Sequence, residues 1–543
     1  MGKALSITSL RDYAWFGAVL LVPFLCACGG SGGDTALRED SVVTQYGPVK
    51  GQTSGAVQSF KAVPYAAPPV GDLRWRAPQK PAGWTSARAS NTLPPPCPQA
   101  VTGRRAYEGT GYSEDCLYLN VYRPSAHSGG LLPVHVFIHG AGFTASSSRD
   151  YDGSRLAREG SALVVIPNHR RNVFGYLALS SMNAEAGEAN GNFGYLDIIA
   201  ALQWVQDNAA RFGGDPGNVT LSGTSGGGVA TCLLLVTPRA SKLFHKVINM
   251  SGPCDGPFIQ YSYGTAQADG AAYAARLGCT NALDAAVCLR RKTVEELLSV
   301  AAPGVVGPTI GTGLISEAPD AAFASGNFLR VPVMFGALKD ERRTLGYNLF
   351  GTAGALNGYE AYVRANFGLN ADRVLTEYPA GAYTDPAYAL GAVASDSGSN
   401  LAIGVCRFLR RADLLAAHTA VYFFEVDDPN GPAALAVQVP AGIETGSTHG
   451  DNYVWMFGTP PLSLPLDQQS PTYSPNQSRM VADFVQTWAS FASDATPSAG
   501  TTKFEPYGRT GGWAMLLGPS GNRVLSREAL RGAHHCDFWD RLS

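Results

Sequence analysis

Charge is scarce in this chain and nearly balanced. Lys and Arg number 41 against 43 Asp and Glu in 543 residues, a formal net charge of -2, and only 15% of residues are charged. Affinity for a phosphate backbone needs clustered cations, whereas short pairs such as Arg104-Arg105, Arg170-Arg171 and Arg342-Arg343 are too sparse for a basic face and are expected on solvated surface. A nucleic-acid partner is therefore excluded. No apolar run reaches the ~20 residues that a membrane-crossing helix needs. Internal repeats, low-complexity tracts and long linkers are also missing, which excludes a repeat array and leaves one continuous domain as the simplest organisation. With 45% hydrophobic residues, the chain has ample material for a large core.

What is present begins with an export segment. Lys3 and Arg11 precede an apolar stretch from Ala14 to Leu25, followed by Leu25-Cys26-Ala27-Cys28 and a Gly/Ser run from Gly29 to Gly33. The Leu-Cys-Ala-Cys string resembles a bacterial lipoprotein cleavage box. Residues 1–28 are thus expected to hold the export signal and its lipoprotein cleavage box, with Cys28 the lipid-bearing first residue of the mature protein and simple cleavage the alternative. Residues 29–42 read as a flexible tether and 43–543 as the single folded domain. Any membrane contact is expected only through that anchor, at the cell envelope.

Further along, apolar runs with little alternation occur at Val134 to Ile138, Ala162 to Ile166, Val219 to Leu221, Val247 to Asn249, Val331 to Phe335 and Val421 to Val426. Strands of this kind are buried on both faces. Helical patterns lie between them, notably Leu196 to Ala210 and Met480 to Phe491. The alternation predicts an α/β fold with a large, mostly parallel sheet flanked by helices.

The most informative string is Gly223-Thr224-Ser225-Gly226-Gly227, between a β-branched strand and an apolar helix from Val229 to Val236. A sharp strand-to-helix turn lifts a serine Oγ clear of the sheet, and flanking glycines remove Cβ atoms that would clash. A plain Gly-rich turn has the same appearance, so other residues must support the reading. A serine hydroxyl needs a base, and the base needs a carboxylate to hold its tautomer. On sheets of this type the partners follow the serine in the order acid, then histidine. His245 precedes any later acid, His418 lies just before a strand at the wrong sheet end, and His534 and His535 sit beside Cys536. His449, in Thr448-His449-Gly450-Asp451 after the strand Val421 to Val426, is the best-placed base. Lys339-Asp340-Glu341 follows another strand, and position alone does not choose between the two carboxylates. His139-Gly140-Ala141-Gly142-Phe143, after the strand Val134 to Ile138, can supply backbone N–H groups to an oxyanion.

These residues resemble the type-B carboxylesterases, the family that includes cholinesterases and several fungal lipases. The likeness starts at Phe60-Lys61-Ala62-Val63-Pro64-Tyr65-Ala66 and runs through Glu114-Asp115-Cys116-Leu117-Tyr118-Leu119-Asn120, Gly191-Asn192-Phe193-Gly194 and Phe212-Gly213-Gly214-Asp215-Pro216 to Cys536-Asp537-Phe538-Trp539. It implies an α/β-hydrolase fold and a serine carboxylesterase acting on small-molecule esters without cofactor or metal. It further implies Ser225, Glu341 and His449 as the catalytic residues and Ala141, Gly142 and Gly226 as oxyanion donors. By the same resemblance Cys97 pairs with Cys116, Cys279 with Cys288 and Cys406 with Cys536, leaving Cys232 and Cys254 as buried free thiols. Such bridges belong outside the cytosol.

Departures from the family pattern fall around the site: Ala141 for glycine, Thr224 and Gly226 for glutamate and alanine, Arg342-Arg343 where glycine usually follows the acid, and Asn452 for a glutamate. The two arginines suggest substrates bearing a carboxylate. Alternative readings are a lipase or polyesterase acting at an interface, and a non-catalytic binding module of the same fold. Cholinesterase activity is disfavoured, because the loop from Cys97 to Cys116 offers Tyr107 and Tyr112 but no Trp to face a quaternary ammonium. His534-His535-Cys536 has no second ligand pair to suggest metal.

Overall fold

Seven short apolar runs whose neighbours in space are parallel dominate the centre of the molecule. The computed structural model describes residues 40–542 apart from 100–110, 128, 302–303, 305, 346, 348, 350–357, 400, 435–443, 459–471 and 509–511. The export signal with Cys28, the tether up to residue 39, Tyr107 and most of the Pro460 to Pro475 stretch lie outside the described residues. Ser41 and Val42, at the end of the expected tether, pair with Lys50 and Val49 in a small sheet.

The central sheet is built, in chain order, from β1 (Gln52–Ser54), β2 (Val57–Pro64), β3 (Tyr118–Pro124), β4 (Leu132–Ile138), β5 (Leu163–Pro167), β6 (Gly214–Thr224), β7 (Lys246–Met250), β8 (Val333–Leu338), β9 (Val421–Val426), β10 (Trp513–Leu517) and β11 (Arg523–Ser526). Among the described residues its spatial order is β11-β10-β9-β8-β7-β6-β4-β5-β3-β2-β1. The stretch β5-β4-β6-β7-β8-β9-β10 is parallel, and the flanking pairs are antiparallel. The order of strands reverses around β4, which opens a crevice at the carboxyl ends of β4 and β6, the usual ligand position in such sheets.

Both faces are covered, as the unalternating runs predicted. Val247, Val333 and Phe423 belong to one apolar cluster, and their chain neighbours Ile248, Met334 and Phe424 to a second. The helices α1 (Phe193–Asn208) and α2 (Gly226–Leu235) carry Leu202, Trp204 and Leu233 into the first. On the opposite face, Phe484, Trp488 and Phe491 project into the second cluster from a long helix, Pro475–Asp494.

Four disulfides are formed. Cys97–Cys116, Cys279–Cys288 and Cys406–Cys536 are those the resemblance implied. The fourth is a correction: Cys232 and Cys254 are not free thiols but are bridged, with Cα atoms 5.4 Å apart. Cys232 lies on α2 and Cys254 just beyond β7, and α2 packs against both β6 and β7, so tertiary packing brings together two cysteines that no spacing rule pairs.

The C-terminal segment is anchored twice, by Cys536 and by the buried His534. The imidazole sits between Asp396 (2.6 Å from Nδ1) and Glu425 on β9 (2.5 Å from Nε2), and Tyr378 donates to the other oxygen of Asp396. Burial alone would push the His534 pKa down, but the two carboxylates overcome it and hold it well above the usual histidine value. A group raised on folding stabilises fully below its unfolded pKa, about 6.5, and loses that contribution as pH rises through the folded pKa. Removing one partner of a buried charge cluster typically destabilises by about 3–5 kcal/mol. We therefore predict that His534→Gln lowers the unfolding free energy by about that much at pH 6 and that the gap to wild type narrows on going to pH 9, as read by denaturant titration at both pH values.

Candidate active site

The strand ends set the positions of the functional residues before any side chain is considered. Ile138 at the end of β4 is level with Gly223 on β6, Thr224 with Met250 on β7, and Met250 with Gly336 on β8. The loops after β4, β6 and β8 therefore emerge side by side. Ser225 caps α2 with φ 56° and ψ −120°, a conformation that costs a non-glycine residue about 1–3 kcal/mol. It is held by a hydrogen bond from its N–H to the Met250 carbonyl (3.1 Å). The glycines beside it are sterically required: a Cβ on Gly226 would lie 2.1 Å from the Gly142 carbonyl oxygen and one on Gly227 1.9 Å from that of Ile138. The turn is thus pressed directly against the loop after β4.

His449 Nε2 lies 2.9 Å from Ser225 Oγ, and its Nδ1 lies 2.7 Å from Glu341 Oε2. Glu341 is the partner and Asp340 is not. Asp340 forms an ion pair with Arg343 at 2.7 Å, while the second oxygen of Glu341 accepts from the Leu338 N–H at 3.0 Å. The two loops are also joined through their backbones, His449 N–H to the Glu341 carbonyl (3.0 Å) and Asp340 N–H to the Ser447 carbonyl (3.1 Å). Asp451 organises the histidine loop, accepting from the Thr448 and Ala434 N–H groups at 2.8 Å each. Its pKa is well above the usual carboxylate value because it is wholly buried. Its place two residues after His449, at the start of the helix Asp451–Phe457, is the signal that would have found it.

Ala141 and Gly142 both have positive φ, 65° and 60°, so Ala141 adopts the left-handed backbone despite its methyl. No hydrogen bond within the described residues engages the N–H groups of Ala141, Gly142 or Gly226. The carbonyls of the same loop point the other way, onto Arg171. Its Nη2 donates to the Gly140 carbonyl (2.6 Å), the Gly142 carbonyl (3.1 Å) and the Ala145 carbonyl. Arg170 and Arg171 are thus a second correction. Expected on solvated surface, both are buried, Arg170 in a bidentate pair with Asp197 (2.8 and 2.7 Å) and Arg171 against the carbonyls of the loop after β4. Arg171 Nη1 donates to His169 Nε2 (2.8 Å), and His169 stacks on His139. Burial and the guanidinium push both imidazoles well below the usual histidine pKa, so they are neutral. A charge pattern in sequence does not distinguish such an arginine from a surface one.

The departures at Thr224 and Asn452 are joined: Asn452 Nδ2 donates to Thr224 Oγ1 at 2.7 Å, a neutral contact beside the serine. The site opens into a cavity of about 840 Å³, lined by Ser225, His449, Phe143, Phe258, Leu401 and Arg342 among others.

A hydroxyl–imidazole–carboxylate relay beside three N–H groups, on a sheet of this topology, can take a proton from the serine and stabilise an oxyanion. Fold and site together define an α/β hydrolase. Residues 38–539 match the carboxylesterase family, and the chain belongs to it. The chain is 31% identical over 494 residues to the fumonisin B1 esterase of Sphingopyxis macrogoltabida, covering 90% of this chain and 87% of that one. It is 30% identical to liver carboxylesterase 1 of Mus musculus over 536 residues, 90% of this chain and 89% of the relative, and 38% identical to the para-nitrobenzyl esterase of Bacillus subtilis over 316 residues, 55% and 62% of the two chains. A solved thermophilic PNB esterase superposes with a TM-score of 0.73 at 26% identity, over 91% of this chain and all of that one. The protein is a carboxylic ester hydrolase of the type-B carboxylesterase family.

Arg171 has a measurable consequence. Losing one oxyanion donor typically costs about 10²- to 10³-fold in kcat, and Arg171 acts on that loop from behind. We predict that Arg171→Met lowers kcat for a neutral ester by about 10- to 100-fold with a smaller change in KM, and that Arg171→Lys recovers part of the loss, in steady-state kinetics.

Proposed function

We propose that ester hydrolysis proceeds through an acyl-enzyme on Ser225. His449 takes the Oγ proton as the serine attacks the carbonyl carbon and returns it to the departing alcohol. Glu341 holds the imidazole with Nε2 toward the serine and stabilises the imidazolium. The N–H groups of Ala141, Gly142 and Gly226 receive the charge that develops on the carbonyl oxygen. A water activated by the same histidine then releases the acid. The observation that carries this reading is the unbroken hydrogen-bond chain from Ser225 Oγ through His449 to Glu341. A binding module of this fold has no use for such a relay.

The test is turnover of 4-nitrophenyl butyrate together with labelling by a fluorophosphonate probe. Wild type is expected to turn over the ester and to be labelled at Ser225. Ser225→Ala and His449→Ala are each expected to lower kcat on the order of 10⁴-fold or more. Activity that survives Ser225→Ala would sink the assignment.

We further propose export with lipid attachment at Cys28. Four disulfides, and the lack among the described residues of a helix able to cross a membrane, are compatible with an exported protein. In a bacterial host, Cys28→Ser is expected to move the esterase from the membrane fraction to the soluble one and to abolish incorporation of labelled palmitate. Wild type found soluble and unlabelled would leave simple signal cleavage.

A further inference from the structure

The cavity above Ser225 has an uneven charge distribution. Its wall is largely apolar, with Phe143, Phe258, Leu401 and Ile403, and no Asp or Glu lines it among the described residues. Among the described residues Arg342 is the one arginine or lysine in that wall. Its Nε is enclosed and has no hydrogen-bond partner, and no ion pair engages its guanidinium among the described residues. Its neighbour differs: Arg343 pairs with Asp340 and lies over the Tyr388 ring at 4.8 Å.

The carboxylates near Arg342 are already engaged. Glu341 uses one oxygen on His449 and the other on the Leu338 N–H, and Asp340 is held by Arg343. Burial lowers the Arg342 pKa, yet a guanidinium stays charged at neutral pH. A charge held in an apolar wall without a partner is unfavourable, and an incoming anion removes that cost. The contact at the nucleophile is neutral as well, because Thr224 and Asn452 bond to each other there. One cation balances one negative charge, which fits a carboxylate better than a dianionic phosphate.

Resting on the esterase reading above, we propose that the preferred substrates are esters that also carry a carboxylate, and that Arg342 is the specificity residue that pairs with it. Ester cleavage itself is unchanged: the acyl C–O bond breaks, the serine proton leaves with the alcohol, and the substrate carboxylate stays ionised throughout.

The test compares 4-nitrophenyl hydrogen adipate with 4-nitrophenyl hexanoate, which match in length and leaving group. A hydrogen bond to a charged group corresponds to about 10- to 100-fold in affinity. The ratio of kcat/KM for adipate over hexanoate is therefore expected to fall by about that factor from wild type to Arg342→Gln, with Arg342→Lys between the two. Should Arg342→Gln fail to fold, the same ratio is read in Arg342→Lys, where a fall supports the pairing. A ratio unchanged from wild type in the folded variant overturns the proposal while leaving the esterase reading intact. Turnover of neither ester by wild type sinks both.

Discussion

The contact between His449 and Glu341 is the point on which the site turns. An imidazole can accept the serine proton only in the tautomer that leaves Nε2 bare, and the carboxylate on Nδ1 selects that tautomer. Here the same two residues are also joined by a backbone hydrogen bond at 3.0 Å, so the two loops are tied through main chain as well as side chain. That union depends on β8 and β9 being parallel neighbours from Val333 to Val426, which delivers both loops to the same sheet edge. Buried Asp451, bonded to two backbone N–H groups, stiffens the second loop from within.

Around this pair the protein separates the two ends of its peptide dipoles. In the proposed mechanism three N–H groups receive the reacting carbonyl, while Arg171 gathers the Gly140, Gly142 and Ala145 carbonyls of the loop after β4. A cation below that loop is electrostatically consistent with the proposed role, since both would favour negative charge at the same place. The neutral histidines under the loop add no charge that would compete. Arg342 stands in the cavity wall, and among the described residues no carboxylate lines it, in keeping with the proposed preference for anionic esters.

Backbone strain is present at the site too. Ser225 and Ala141 both adopt backbone conformations that a side chain resists, and the surrounding structure holds them there. The helix α2, capped by Ser225, is tied by Cys232–Cys254 to the chain just beyond β7. The C-terminal segment is fixed to Glu425 on β9 through His534, one strand away from the acid loop. These crosslinks bear on the elements that carry the relay, so stability and activity draw on the same scaffold.

Much of this was legible in the order of residues. Unalternating apolar runs marked the buried parallel strands, and the glycines around Ser225 marked a turn too tight for side chains. His449 emerged because few histidines follow the serine at the correct sheet end. Local rules suffice for such features, since strand burial and turn sterics act over a few residues. Position could not separate Asp340 from Glu341, which are adjacent, and only the direction of each side chain in the folded loop decides which meets His449. The buried roles of Arg170 and Arg171, the Cys232–Cys254 bridge and the Thr224–Asn452 contact were equally invisible. Each joins residues from separate strands, helices or loops, and whether a cation or a thiol finds a buried partner depends on which of those elements pack together, a property of the tertiary structure alone.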